Sequence, residues 1–433
     1  MKTVPLNTDQ APPISVPLRF FAVAPLFLIL AALVLLSDSD NPFADPHMPA
    51  LLAATHCITL GFMATVMVGA MQQILPVVIG SPMPASRLTA RFVFLSLISG
   101  ALLLPAGFAL GQPLLLNFAW PLLLLAFLGF IVASLLSLAR SPAHNATRTA
   151  ILLSLLALGA AVVPGILLAY GYATGTLSPD AGRLAAAHVA LMLGGWVLLL
   201  IVGVSYQVVP MFQLTPSYPK WLTVALAPAL FAALLLNVLL LLFQPDAAWL
   251  SVVAQSLFWM LCGCFAVATL VLQGRRRRRV ADATLSFFRL GMAALLCAAL
   301  LAIALPLLPV VDHLETLLAI LFLLGFAMSV MHGMLYKIVP FLVWFHLFRG
   351  GVKSGVPNMK EIIPEPWMWR HLWLHRATLL AALCAPWWGA AARLTALGFL
   401  LQGLLLAYAL FAAISVYRRT LARLEQTQPN PIA

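Results

Sequence analysis

Twelve stretches of largely apolar residues run through the chain, at positions 18–36, 51–79, 88–110, 114–139, 149–172, 184–212, 221–243, 248–272, 285–308, 314–347, 373–390 and 394–417. About 20 such residues span a bilayer core as a helix. In hydrocarbon a backbone must satisfy its own hydrogen bonds, so stretches of this kind are helices. The chain is 63% hydrophobic and 8% charged, against roughly 25% charged residues in a soluble domain. It cannot clothe a water-soluble globule. Secreted, disordered and nucleic-acid-binding classes are excluded, and the expected fold is an all-α integral membrane domain covering residues 1–433.

The net charge of +12 sits in loops, where it sets topology. Loops after even-numbered helices hold Arg87 and Arg91, Arg140 and Arg148, Lys220, Arg275 to Arg279 with Arg289, and Arg349, Lys353, Lys360, Arg370 and Arg376. The tails add Lys2, Arg19, Arg418, Arg419 and Arg423. Loops after odd-numbered helices hold only Arg183 and Arg393, beside Asp38, Asp40, Asp45, Asp180, Asp246 and Asp312. Both termini are therefore expected in the cytoplasm, as in a multi-pass protein of a bacterial-type inner membrane. The arginine run reads as a stop-transfer anchor on anionic lipid. All five cysteines fall in apolar stretches, which implies no disulfide framework. Cys262 and Cys264 point to nearly opposite helix faces and read as small apolar residues.

An internal repeat follows. Helices 2, 6 and 10 end alike, in Gly69-Ala70-Met71-Gln72-Gln73-Ile74-Leu75-Pro76, Gly203-Val204-Ser205-Tyr206-Gln207-Val208-Val209-Pro210 and Gly333-Met334-Leu335-Tyr336-Lys337-Ile338-Val339-Pro340. The prolines are 134 and 130 residues apart, so each unit is four helices long: about 18–140, 149–273 and 285–418. Proline near a helix end and glycine at a close crossing explain part of the pattern. The polar pair before each proline belongs against protein or a polar cavity. The spacing predicts three four-helix arcs about a pseudo-threefold axis, with these polar pairs converging on the axis near the cytoplasmic side.

The histidines fit this frame. His56 and His188 precede their repeat prolines by 20 and 22 residues, which puts them at nearly equal depth. His313 belongs at the outer rim of helix 10, and His332 lies deep in it. An imidazole in hydrocarbon needs a partner: a neighbouring helix, a metal or a haem iron. Matched depth favours the metal or haem reading for His56 and His188.

With these residues in view, the chain resembles subunit I of the haem-copper oxidase superfamily, which has twelve helices in three arcs. The local match is His56-Cys57-Ile58, Val68-Gly69 and Leu75-Pro76-Val77-Val78-Ile79-Gly80-Ser81-Pro82. The resemblance implies that His56 is an axial ligand of a haem, of b type. His188 ranks ahead of His313 and His332 as the opposite ligand, or serves a separate metal such as copper. The departures are equally specific. The helix-10 ligand position reads Leu317-Leu318-Ala319-Ile320, residues 221–243 contain no His, and Met192 stands where a tyrosine is expected. A complete oxygen-reducing centre is not assembled. The chain looks like an altered relative without oxidase chemistry, closer to the NnrS-type membrane haem proteins associated with nitric oxide stress, with a redox partner or respiratory complex implied. The alternative is a cofactor-free transporter or assembly factor on the same fold.

Two further features lie toward the cytoplasm. Lys337 stands where Gln73 and Gln207 stand in the other units; it either snorkels to water or meets a haem propionate, a substrate carboxylate or a proton path. His371 and His375 share one helix face, yet with Trp367, Trp369, Arg370, Trp373 and Arg376 around them they read first as part of an interfacial aromatic and basic belt. Phosphate-binding glycine loops and Ser/His/Asp arrangements are absent.

Overall fold

The computed structural model describes residues 11–38, 41–278, 280–308, 312–349 and 355–427, and no strand occurs among them. Lys2, Asp40, Arg279 and Lys353, which carry part of the topology argument, lie outside the described residues. Eleven helices are long and apolar enough to cross a membrane: α1 (Ser15–Ser37), α2 (Pro49–Ile79), α3 (Ser86–Ala109), α4 (Pro113–Arg140), α5 (Ala146–Thr174), α6 (Ala181–Gln213), α7 (Lys220–Phe243), α8 (Ala248–Gly274), α9 (Ala283–Leu307), α10 (Leu314–Phe348) and α12 (Gly389–Arg423). This is a multi-pass membrane protein. Another long helix, α11 (Glu365–Cys384), carries Glu365, Arg370 and Arg376 and falls outside that set. It starts and ends earlier than the 373–390 expected from hydropathy alone, because the amphipathic turn at Trp367–Trp373 is already helical.

The spans are not equivalent. The most apolar windows of α2, α6 and α10 are 72%, 61% and 61% buried, whereas those of the other eight are 39–50% buried. These three form the centre and the rest surround it. The outer helices turn side chains such as Leu88, Phe118, Val224, Leu300 and Leu404 outward, which in a membrane is the lipid-facing surface. The first and last spans pack together, with Gly403 of α12 against Pro25 and Ile29 of α1.

Each central helix is interrupted by π-helix at a corresponding place: Cys57–Ala64 in α2, Ala190–Val197 in α6 and Leu321–Met328 in α10. These segments end 12, 13 and 12 residues before Pro76, Pro210 and Pro340. Glycines recur beside them, 15 and 7 residues before each proline. Gly61 and Gly69 lie against Phe27 and Phe20 of α1, Gly195 and Gly203 against Ala157 and Ala150 of α5, and Gly325 and Gly333 against Ala294 and Phe287 of α9. A Cβ at Gly195 would lie 2.5 Å from that of Ala157, so only glycine permits this approach.

Between the three central helices lies a cavity of about 80 Å³. Val66, Leu200 and Val330 each stand 10 residues before their proline and line it together; Ile74, Val208 and Ile338, each 2 residues before, do the same. The lining is apolar apart from Ser205. The polar pairs before the prolines are not in it. Gln72, Gln73, Tyr206 and Tyr336 are buried, but they are turned away from the cavity, with Tyr336 bonded to α11. The expected convergence of polar groups on the axis is therefore corrected. A face four residues wide cannot present both the apolar and the polar positions of one helix to the same point.

Candidate functional site

The histidines fall into two groups. In the first, the His56 Nδ1 lies 2.7 Å from the Leu52 carbonyl in its own helix, and the His188 Nδ1 lies 2.9 Å from the Ala161 carbonyl of α5. A carbonyl only accepts, so each Nδ1 carries the hydrogen and each neutral ring keeps its lone pair on Nε2. Phe108 packs against His56 with ring centroids 5.7 Å apart. The His188 ring rests on Gly165, where a Cβ would come within 2.6 Å of Cε1. Each imidazole is oriented by a main-chain acceptor, and a neutral ring held in this way can donate from Nε2.

The second group is deeper. His332 is fully buried near the middle of α10, and His371 and His375 of α11 are buried equally completely. The ring of His332 lies 4.4 Å from that of His371 and 5.2 Å from that of His375, centroid to centroid, with Phe62 and Phe287 closing the cluster. Reading His371 and His375 as parts of an interfacial belt is thus overturned. Arg370 and Arg376 do stack on Trp367 and Trp373, while the two histidines are buried. The signal was in the sequence: Met368, His371, Leu372, His375, Thr378, Leu379 and Ala382 recur at three- and four-residue spacing, and all are buried.

The hydrogen bonds around His375 have a fixed direction. Thr378 donates to the Leu374 carbonyl at 2.8 Å, so its oxygen accepts from the Gln402 amide at 2.9 Å. That orients the Gln402 Oε1 toward the His375 Nδ1, 2.8 Å away, which must then donate. The His375 Nε2 is left as an acceptor for the Ser329 hydroxyl at 2.8 Å. His371 shares its Nδ1 with the Tyr336 hydroxyl at 2.7 Å. Three buried histidine ring nitrogens have no hydrogen-bond partner among the described residues: both of His332 and the Nε2 of His371.

The other expected site residues lie elsewhere. His313 caps the start of α10 with φ 71° and packs its ring on Trp387, far along the chain from the deep cluster. Lys337 pairs with Asp282 at 3.2 Å, a residue that also accepts from the Leu285 N–H and the Thr284 hydroxyl and lies 3.8 Å from Arg278. Burial raises the Asp282 pKa, but these hydrogen bonds and Lys337 outweigh it and hold the carboxyl below its ordinary range. No family model matches the chain, and no curated protein matches it in sequence. Among the described residues, no three His, Cys, Asp or Glu side chains already converge to hold a metal ion.

Proposed function

We propose that the chain is an inner-membrane haem- or metal-binding protein of the haem-copper oxidase subunit I type, with twelve spans in three arcs and both ends in the cytoplasm. It lacks terminal oxidase chemistry and serves nitric oxide or redox homeostasis with a respiratory redox partner. The observation that carries this reading is that His56 and His188, at corresponding positions of α2 and α6, each have Nδ1 held by a main-chain carbonyl, which leaves the Nε2 lone pair to donate. The recurrence of π segments, glycine contacts and cavity-lining positions in α2, α6 and α10 supports the three-arc arrangement. At 20 residues, α11 reaches about 30 Å, the length a twelfth span would need.

The donor chemistry fits a b-type haem, which His56 and His188 would hold. A haem would supply a one-electron couple and an iron able to take a diatomic gas. The chain's own residues orient and pack: Leu52 and Ala161 fix the ring tautomers, Gly165 makes room for His188, and Phe108 packs against His56. The absorbance spectrum of the detergent-purified chain tests the reading. A Soret band with sharp reduced α-bands is expected, converting in His56→Ala to a five-coordinate high-spin spectrum or to none. A featureless visible region, or an unaltered low-spin spectrum in His56→Ala, sinks it.

A further inference from the structure

The connection between α8 and α9 carries a charge imbalance that topology alone does not account for. Between Gly274 and Leu290 the sequence has six arginines and one acid, Asp282. A run that only anchors the chain on anionic lipid hangs among the headgroups with its side chains hydrated. This one is built into the fold. The Arg275 N–H closes α8 on the Val271 and Leu272 carbonyls, and the Arg277 N–H donates to the Leu214 carbonyl just past α6, at 3.0 Å. Asp282 then caps α9 by accepting from the Leu285 N–H at 2.9 Å. The backbone is tied down before any partner arrives.

That fixed backbone sorts the arginines. Arg275 and Arg277 are exposed, whereas Arg276 and Arg278 are half-buried. The Nε and Nη1 atoms of Arg276 are buried and have no hydrogen-bond partner among the described residues. A charged donor in that state has given up its hydration for nothing, which is among the costliest arrangements a polar group can adopt. Burial holds the Arg276 pKa below its ordinary value; Asp282 works against that, and Arg278 and Arg289 add to it.

Asp282 cannot neutralise the group. Its Oδ1 accepts from the Leu285 N–H and the Thr284 hydroxyl, and its Oδ2 faces Lys337 at 3.2 Å and Arg278 at 3.8 Å. Arg289 of α9 donates only to a neutral acceptor, the Gln273 carbonyl at the end of α8, 3.2 Å away and three residues short of Arg276. We infer that Arg276 and Arg289 form a binding site for one phosphate group, with Arg278 and Lys337 adding positive potential across Asp282. Two guanidinium groups offer more N–H donors than the oxygens of one carboxylate take up, whereas a phosphate presents acceptors on several sides and matches the guanidinium fork. The site stands where α8 ends at Gly274 and α9 begins at Ala283, which is headgroup depth for spans of this length. A phospholipid headgroup is therefore the first source of the phosphate, and a dissolved phosphate is the second source of the same chemistry.

The test uses the full chain in an uncharged detergent, followed by native mass spectrometry as short-chain phosphatidylglycerol or inorganic phosphate is titrated in. One saturable equivalent of phosphatidylglycerol is expected. Arg276→Gln and Arg289→Gln should each weaken it about tenfold or more. Arg275→Gln and Arg277→Gln, which remove the same charge from exposed positions, should change it less than about twofold. The same variant pattern with inorganic phosphate and none with the lipid would assign the site to a dissolved phosphate. Equal losses in all four variants would reduce the run to a diffuse electrostatic anchor and overturn the inference, as would the lack of saturable binding of either probe. Recoupling between guanidine nitrogen-15 and phosphorus-31 reads the contact in the wild type, without recourse to any variant, and its absence at saturation would overturn the inference as well.

Discussion

Gln402 is the residue on which the orientation of the deep cluster turns, and replacing it with methionine tests the hydrogen-bond direction worked out above. The change keeps length and volume, so no cavity forms, but it deletes both the acceptor of the His375 Nδ1–H at 2.8 Å and the donor to Thr378 at 2.9 Å. Only the His375 Nδ1–H is stranded, because the Thr378 hydroxyl keeps its own bond to the Leu374 carbonyl. At roughly 1–3 kcal/mol for a stranded buried group, the soluble-protein expectation is about 1–3 kcal/mol. Interhelical hydrogen bonds in membranes average nearer 0.6 kcal/mol, which sets the lower end. Reversible unfolding in mixed micelles should therefore show Gln402→Met destabilised by about 0.6–3 kcal/mol. Nitrogen-15 shifts of ring-labelled histidine should report His375 protonated on Nδ1 in the wild type. An unprotonated Nδ1, or a methionine variant as stable as the parent, would refute the assigned chain from Ser329 to Leu374.

Gly195→Ala should cost about 1–3 kcal/mol, since its new methyl meets the Ala157 Cβ at 2.5 Å; adding Ala157→Gly should restore most of the loss, and strictly additive effects in the same unfolding assay would mean that α5 and α6 do not approach there. Asp282→Asn should lower stability by about 1 kcal/mol at neutral pH. Because the folded carboxyl titrates below its unfolded value, this contribution is present above about pH 4 and fades as pH falls through the folded value, so wild type and variant should converge in acid melts; a gap that widens toward acid would contradict the pairing with Lys337. Reporter fusions at His144 and Val280 should read cytoplasmic and a fusion at Asp246 external, and an external signal at Val280 would invert the proposed topology.

Hydropathy alone made the membrane class legible, because the period and length of apolar stretches are properties of the chain itself. The likeness of α2, α6 and α10 was legible too, through Pro76, Pro210 and Pro340 and the glycines before them, since close helix crossings demand particular residues at fixed spacing. The π segments were not, because an i→i+5 ladder forms without a special residue type. His56, His188 and Lys337 were visible as unusual residues for a bilayer, although only the coordinates show Lys337 engaged with Asp282. His371 and His375 were misread because the tryptophans and arginines beside them were weighed as a composition. Taken as positions on a helix, the same residues separate into a wet face and a buried one.

The π segments in α2, α6 and α10 act as rotary offsets. Each residue turns an α-helix by about 100°, and each π segment inserts roughly one residue beyond the α count. The half of each central helix outside the segment is thereby free to present a different azimuth from the half that lines the cavity. His56 and His188 ride on the outer halves, and Val66, Leu200 and Val330 on the inner ones. Deleting a single residue from Cys57–Ala64 or Ala190–Val197 would swing a histidine by about a quarter turn while leaving the packing around the cavity in register. A scaffold with such offsets can re-aim its ligands without rebuilding its core.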